Sequence, residues 1–178
     1  MKKSILFLMG LLMGLTSAFA QGFPTISTDE NTKWYLIQFM NGGNALTAET
    51  SGAQITTSSA IGSEAQLWKI TGDATNGYTF TNKKGYTLYV NSAEKNQMVH
   101  ANATASGVSK FFINATENSS YSGGYEIQPN GNTNISMNLW GGPAENRGVG
   151  LWDKKDQNNP VQFVEAVAFA NMGKVSII

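Results

Sequence analysis

From Lys33 onward, the apolar residues of this chain occur in many short runs, each bounded by Gly, Asn, Asp or Ser. Runs of this kind are typical of β-strands separated by turns. Beyond the first twenty residues, no long stretch places apolar residues at i, i+3, i+4 and i+7, and Gly and Thr recur too often to favour a helix. The pattern therefore predicts an all-β protein.

The short runs recur in the same order three times, over residues of about 33–74, 75–119 and 120–166. Two of these units have the same length and the third carries a short insertion. Each unit opens near a tyrosine and closes on a large aromatic residue. The opening residues are Tyr35, Tyr78 and Tyr125, and the closing ones are Trp68, Phe111 and Phe163. A repeat of this period indicates that one structural unit is used three times.

A unit of this size cannot bury its own apolar face, so the three are expected to share one core around a pseudo-threefold axis. With four short strands in each unit, the predicted fold is a β-trefoil covering residues 33–166. The closing aromatics, Trp68 and Phe111 above all, are expected to fill that core. A lipocalin-like barrel is the alternative, but it would not predict the repeat.

The two ends of the chain have a different composition. Residues 1–20 combine Lys2 and Lys3, an apolar run and the sequence Ala18-Phe19-Ala20, which is typical of a secretory signal peptide. We therefore expect a secreted protein, located in the periplasm, on the cell surface or outside the cell. Because the apolar run is shorter than the ~20 residues that span a bilayer, membrane insertion is not expected. Residues 21–32 form a leader, and residues 167–178 form either a C-terminal strand or the start of a truncated second domain.

Composition excludes several function classes. The chain has no cysteine, so it lacks disulfides and thiolate metal sites. It has 12 basic and 12 acidic residues, and losing Lys2 and Lys3 leaves it slightly acidic, which argues against nucleic acid as a partner. No calcium or zinc motif occurs, so no metal or cofactor is predicted. With His100 as the one histidine and no Gly-x-Ser-x-Gly motif, no enzyme activity is expected.

Two motifs resemble the ricin B-type β-trefoil lectin domains, particularly the modules of secreted bacterial proteins that handle glycans. The sequence Gln66-Leu67-Trp68 matches the Gln-x-Trp signature of that family, and Val149-Gly150-Leu151-Trp152 matches its Val-x-Leu-Trp strand. The resemblance covers residues 33–166. At the place of Gln-x-Trp the other two units read Ser109-Lys110-Phe111 and Val161-Gln162-Phe163.

The resemblance implies where a sugar could bind. In lectins of this family each unit can form a shallow site from a carboxylate, a stacking aromatic and an amide side chain. The acidic position falls on Thr47, Tyr89 and Asn138, so all three units lack the family's Asp. The third unit still has an aromatic residue at or beside the stacking position, Trp152. Its implied site residues are Asn138, Trp140, Asn146, Trp152, Asn158 and Asn159.

The same residues have structural explanations. Trp140 precedes Gly141-Gly142-Pro143, so a turn is expected to expose it, and exposed tryptophans often mark binding sites. Trp152 can be either a core residue or part of a site. Asn158 and Asn159 first suggest a turn, and only then a sugar contact.

Three hypotheses for function follow. The first is a secreted, non-catalytic carbohydrate-binding module whose third unit holds a glycan or polysaccharide; an associated glycan-degrading enzyme is a further candidate partner. The alternative is a protein-binding trefoil, an inhibitor or assembly module, with degenerate sugar sites. A sugar site requires Trp140 or Trp152 to be exposed with Asn138 in reach. A protein-binding trefoil with degenerate sugar sites would instead have Trp152 buried. A scaffold without any ligand site remains the third reading.

Overall fold

The computed structural model describes residues 22–167. The predicted signal peptide, and all but the first residue of the segment 167–178, lie outside the described residues. Within 22–167 the chain forms twelve β-strands and one short 3-10 helix, and no helix there is long and apolar enough to cross a membrane. The strands are β1 (Tyr35–Phe39), β2 (Ala45–Thr47), β3 (Thr56–Ser58), β4 (Leu67–Asp73), β5 (Gly77–Asn82), β6 (Thr87–Tyr89), β7 (His100–Asn102), β8 (Phe111–Ala115), β9 (Tyr125–Pro129), β10 (Ile135–Leu139), β11 (Arg147–Asp153) and β12 (Val161–Glu165).

The first and last strands of each unit build a closed barrel. Strand β1 pairs with β4 and β12, β5 pairs with β4 and β8, and β9 pairs with β8 and β12, all antiparallel. The second and third strands of each unit form hairpins, β2–β3, β6–β7 and β10–β11. This arrangement confirms the predicted all-β class and the threefold set of four-stranded units. A lipocalin-like barrel does not describe it, because three hairpins leave the barrel.

The three hairpins meet to form a cap over one end of the barrel. Strand β3 pairs with β11, and isolated bridges join Gln54 to His100 and Met98 to Gly150. Each hairpin therefore contacts both of the others. The hairpin of the third unit is the largest, with strands of five and seven residues against three and three in the other two units. Longer hairpin strands account for much of the additional length of that unit.

The closing aromatics lie in the core, as predicted. Trp68 and Phe111 are fully buried, and Phe163 nearly so. Trp68 also donates its indole Nε1–H to the carbonyl oxygen of Leu46 over 3.0 Å, which satisfies the one polar group that its burial removes from water. Phe111 meets Phe80 edge to face, with ring centroids 6.1 Å apart.

The leader covers the other end of the barrel, at the opening tyrosines. The ring of Phe23 lies 5.8 Å from that of Tyr78 and 5.9 Å from that of Tyr125, and the backbone N–H of Thr25 donates to the hydroxyl of Tyr35 over 2.9 Å. One extended segment thus contacts all three units at their first strands. The sequence offered no signal for this role, since the leader has no hydrophobic periodicity.

Candidate functional site

The predicted site residues lie on and beside the hairpin β10–β11. Side chains alternate between the two faces of this hairpin. Those of Met137, Leu139, Val149 and Leu151 point into the core, where all four are fully buried. Asn138, Gly150 and Trp152 therefore face away from the core. The loop between β11 and β12 folds back over part of this outer face.

Asn138 and Asn159 are buried beneath that loop. Asn138 is 5% exposed and Asn159 is 0% exposed. The amide nitrogen of Asn138 donates to Oδ1 of Asn159 over 2.8 Å and to Oδ1 of Asp156 over 3.1 Å. Asn159 in turn donates to the carbonyl oxygen of Asp153 over 2.9 Å and to Glu126 Oε2 over 3.4 Å.

This network gives two of the predicted site residues a structural role. The amide nitrogens of Asn138 and Asn159 donate to groups of the 153–160 loop and to Glu126 of β9, and both residues are buried. Buried polar groups need such partners, since leaving one unsatisfied costs about 1–3 kcal/mol. Asn138 and Asn159 therefore hold the 153–160 loop in place, and their role as sugar contacts stays a prediction.

Asn158 is half-buried and belongs to the same loop. Its backbone N–H donates to Asp156 Oδ1 over 2.8 Å, and its side-chain oxygen accepts from Asn41 Nδ2 over 2.7 Å. Its carbonyl oxygen also accepts from the backbone N–H of Leu139 over 2.9 Å. Asn158 thus shapes a turn and connects the third unit to the first.

Trp140 and Trp152 form a half-buried pair on the outer face of the hairpin. Their ring centroids are 5.8 Å apart and the planes meet at 78°, the edge-to-face geometry that aromatic quadrupoles favour. Trp140 lies directly over Gly150, since a Cβ atom there would come within 2.3 Å of the indole Cε3. Lys95 covers Trp152 with its ammonium 3.8 Å from the ring centroid and also pairs with Asp153. Trp152 thus contacts both Trp140 and Lys95.

Trp140 borders a groove of ≈ 400 Å³ in the hairpin cap. We call this the Trp140 groove. Its lining residues are Gln54, Met98, Trp140, Ala144, Glu145, Asn146, Arg147 and Gly148. Gln54 comes from the first unit, Met98 from the second and the remainder from the third, so the groove exists only where the three hairpins meet.

The loop between β10 and β11, which forms one side of the groove, is anchored to the first unit. Asn146 adopts a left-handed backbone conformation with φ of 56°, and its N–H donates to the carbonyl oxygen of Thr57 over 2.7 Å. Asn tolerates this conformation better than most residues. Glu145 Oε1 accepts from the Ser59 hydroxyl over 2.6 Å, and Glu145 Oε2 accepts from the Ser59 N–H over 3.2 Å. The side chains of Asn146 and Arg147 are left exposed at the groove.

The structure thus divides the six predicted residues into two groups. Trp140 and Asn146 line the groove, with Trp152 supporting the ring of Trp140. Asn138, Asn158 and Asn159 lie in and under the 153–160 loop. Sequence reasoning missed Gln54, Met98 and Arg147, because the bridges between hairpins that bring the first two to the groove leave no trace in the local sequence.

A second, smaller cavity of ≈ 170 Å³ lies beside β8 and β9. The buried carboxylate of Glu126 reaches it, but accepts hydrogen bonds from the Thr116 hydroxyl, the Lys155 N–H and Asn159. At its rim, hydrogen bonding to Lys155 and the charge of Lys154 lower the pKa of Glu117. Among residues 22–167, no group of three or more His, Asp or Glu side chains is arranged to hold a metal ion.

No family model matches this sequence, and no curated protein matches it. Its fold is nevertheless similar to that of several solved structures. The ricin B-like lectin of Macrolepiota procera in complex with lactose has a TM-score of 0.65 at 15% identity, covering 79% of this chain and 98% of the lectin. The designed threefold-symmetric protein ThreeFoil has a TM-score of 0.64 at 16% identity, over 74% and 97% of the two chains. The BEL β-trefoil has a TM-score of 0.59 at 14% identity, over 81% and 99%. The barrel, the three hairpins and these similarities together show that this chain has the β-trefoil fold of ricin B-like lectins.

Proposed function

We propose that this protein is a non-catalytic carbohydrate-binding protein whose ligand site is the Trp140 groove. The observation that carries the proposal is the partly exposed ring of Trp140, held over Gly150 at the edge of an open groove with exposed polar side chains. The C–H groups of a pyranose ring pack well on an aromatic face, while its hydroxyls need several donors and acceptors. Gln54, Asn146 and Arg147 offer those groups beside the ring.

The size and chemistry of the groove suit a small saccharide. Its ≈ 400 Å³ falls in the range of small-molecule sites, about 300–1,000 Å³. Glu145 is the one carboxylate among its lining residues, and both of its oxygens accept from Ser59. Glycoside hydrolysis needs two carboxyl groups about 5–10 Å apart, so binding without hydrolysis is the simpler function. The lactose complex of the Macrolepiota procera lectin gives the fold a precedent for binding sugar.

The proposed site is open, so we expect weak binding to a single sugar, roughly millimolar or about −4 kcal/mol. Weak binding becomes useful when an associated protein raises the effective concentration of the glycan. A glycan-degrading enzyme is the partner we propose for this role.

We also propose that the protein is exported and that residues 1–20 are removed as a signal peptide. The charged start, the apolar run and Ala18-Phe19-Ala20 support this proposal. N-terminal sequencing of the exported protein should find a start near Gln21. A start at Met1 in the exported protein would contradict it.

A glycan array probed with residues 21–178 tests the proposed binding. Trp140→Ala should abolish the signal, because it removes the one exposed aromatic surface of the groove. Tyr121→Ala is the matched control: it removes an aromatic side chain from the same unit, in the 3-10 helix and outside the groove. Thermal unfolding would show that both variants are folded.

Binding of the same glycans by Trp140→Ala would refute the proposed site. If the parent protein gives no signal on the array, the protein-binding alternative would be favoured over carbohydrate binding. Capture of an exported protein partner that depends on Trp140 would then support that alternative.

A further inference from the structure

Arg147 is the one arginine in the chain, and it lies in the Trp140 groove. Its side chain is exposed at the start of β11, and that side chain makes no hydrogen bond or ion pair with any residue of 22–167. By contrast, five lysines pair with carboxylates on the surface: Lys33, Lys84, Lys95, Lys154 and Lys155. The groove therefore contains a guanidinium group with all five N–H donors available.

The nearest acidic residue along the loop forms no ion pair with this group. Glu145 is two positions away, yet its oxygens bond to the hydroxyl and backbone N–H of Ser59. The side chain of Arg147 instead reaches toward the turn at Gly141, where a Cβ atom would lie 3.4 Å from Nη1. Glu145 and Arg147 thus both line the groove, but the carboxylate bonds to Ser59 of the first unit and the guanidinium has no such partner.

A guanidinium group is planar and presents paired N–H donors that match the two oxygens of a carboxylate or sulfate. An adjacent exposed indole matches the apolar face of a sugar ring. A ligand that matches both the guanidinium and the indole carries an anionic group close to a pyranose ring. Exposed amides at Gln54 and Asn146 can take up neighbouring hydroxyls.

We propose that the Trp140 groove selects anionic saccharides, with the guanidinium of Arg147 binding the carboxylate or sulfate group and the ring of Trp140 packing on the sugar. This inference rests on the proposed carbohydrate-binding function and specifies its ligand class. Uronic acids and sulfated sugars share the required chemistry.

Calorimetric titration with three matched disaccharides tests the inference: one ending in a uronic acid, its methyl ester, and a sulfated disaccharide of the same backbone. The parent protein should bind an anionic form at least about tenfold more tightly than the neutral ester, as expected for a charge-assisted hydrogen bond. Added salt should reduce this preference. The tighter of the two anions identifies the anionic group.

Arg147→Gln should lose the preference and bind the acid and the ester alike, while Arg147→Lys should retain only part of it. Lys110→Gln is the control, since it removes one exposed positive charge outside the groove. Equal binding of acid and ester by the parent protein, or an unchanged preference in Arg147→Gln, would overturn the inference.

The two proposals fail in different ways. If Trp140→Ala loses glycan binding while Arg147→Gln keeps the parent's preference, the groove binds sugars but Arg147 does not select anions. If Trp140→Ala binds all three disaccharides as the parent does, the proposed site itself is wrong, and the inference with it.

Discussion

At the scale of single residues, Gln66 shows why one copy of the Gln-x-Trp motif is intact. Gln66 is 1% exposed, and its side-chain oxygen accepts from the N–H groups of Ile61 and Gly62 over 3.0 and 3.1 Å. Its amide nitrogen donates to the Ser58 hydroxyl and to the Ser59 carbonyl oxygen, each over 2.9 Å. The motif thus closes the loop between β3 and β4 and is a structural feature of the first unit.

Gln66→Leu should lower the free energy of unfolding by about 2–4 kcal/mol, because it removes the five hydrogen bonds of a buried side chain. Urea unfolding followed by fluorescence would measure the change. Gln157→Leu, at an exposed loop position, is the matched control and should shift stability by less than about 0.5 kcal/mol. Equal effects of the two substitutions would contradict the structural role of Gln66.

Gly150 sets the position of the Trp140 ring. Gly150→Ala would place a Cβ atom 2.3 Å from the Trp140 indole, so the ring must move. We expect weaker glycan binding and a changed near-UV circular dichroism spectrum, with the fold retained. Gly22→Ala, where a Cβ atom meets nothing within 4 Å, is the control and should change neither.

At the scale of elements, the leader behaves as part of the fold although it forms no strand. Ser27 is buried, its N–H donates to the carbonyl oxygen of Ile70 over 2.7 Å, and its hydroxyl oxygen accepts from the N–H of Lys33 over 3.0 Å. Ile26 packs against the core. These contacts fix the segment across the end of the barrel, so the leader is expected to contribute to stability.

Phe23→Ala should lower the free energy of unfolding by about 1–2 kcal/mol, because it removes a partly exposed ring from two aromatic partners. Thr32→Ala, at an exposed position of the same segment, should leave stability unchanged within about 0.5 kcal/mol. Denaturant unfolding of both variants would check this. A similar loss in both would mean that the Phe23 ring makes no specific contribution.

The elements also show how far sequence reasoning extends. The periodic spacing of Tyr35, Tyr78 and Tyr125 predicted the threefold fold, because shared burial imposes a repeat on the sequence. Contacts between units impose no repeat on the sequence, so the position of Gln54 and Trp140 in one groove could not be predicted. The burial of Asn138 could not be predicted either, because a buried amide network and a sugar-binding amide use the same residue type.

At the scale of the whole molecule, the three units have unequal surfaces. In the second unit Tyr89 stands at the position of Asn138, and its ring stacks on His100 with centroids 5.6 Å apart while Tyr89 is only 8% exposed. The first unit has Thr47, which is 5% exposed, at the position of Asn138 and Tyr89. The near-symmetric fold therefore carries one candidate groove in place of three.

Calorimetric titration of a monovalent glycan should accordingly give one site per chain. The reason is that Trp140 and Arg147, which line the same groove, both belong to the third unit. Trp140→Ala should remove all measurable binding. A stoichiometry of two or three, or binding that survives in this variant, would show that other units also bind.

The leader lies where β1, β5 and β9 begin, whereas the hairpins leave the opposite ends of these strands. Strand β12 returns to the same end as the leader, since Glu165 pairs with Tyr35 and the N–H of Ala166 donates to the carbonyl oxygen of Trp34. Residues 22 and 167 therefore both lie at the end of the barrel that the leader covers, opposite the hairpin cap. Any domain, anchor or solid support joined at either position would project away from Trp140 and leave the groove directed outward, in the orientation needed to meet a glycan surface.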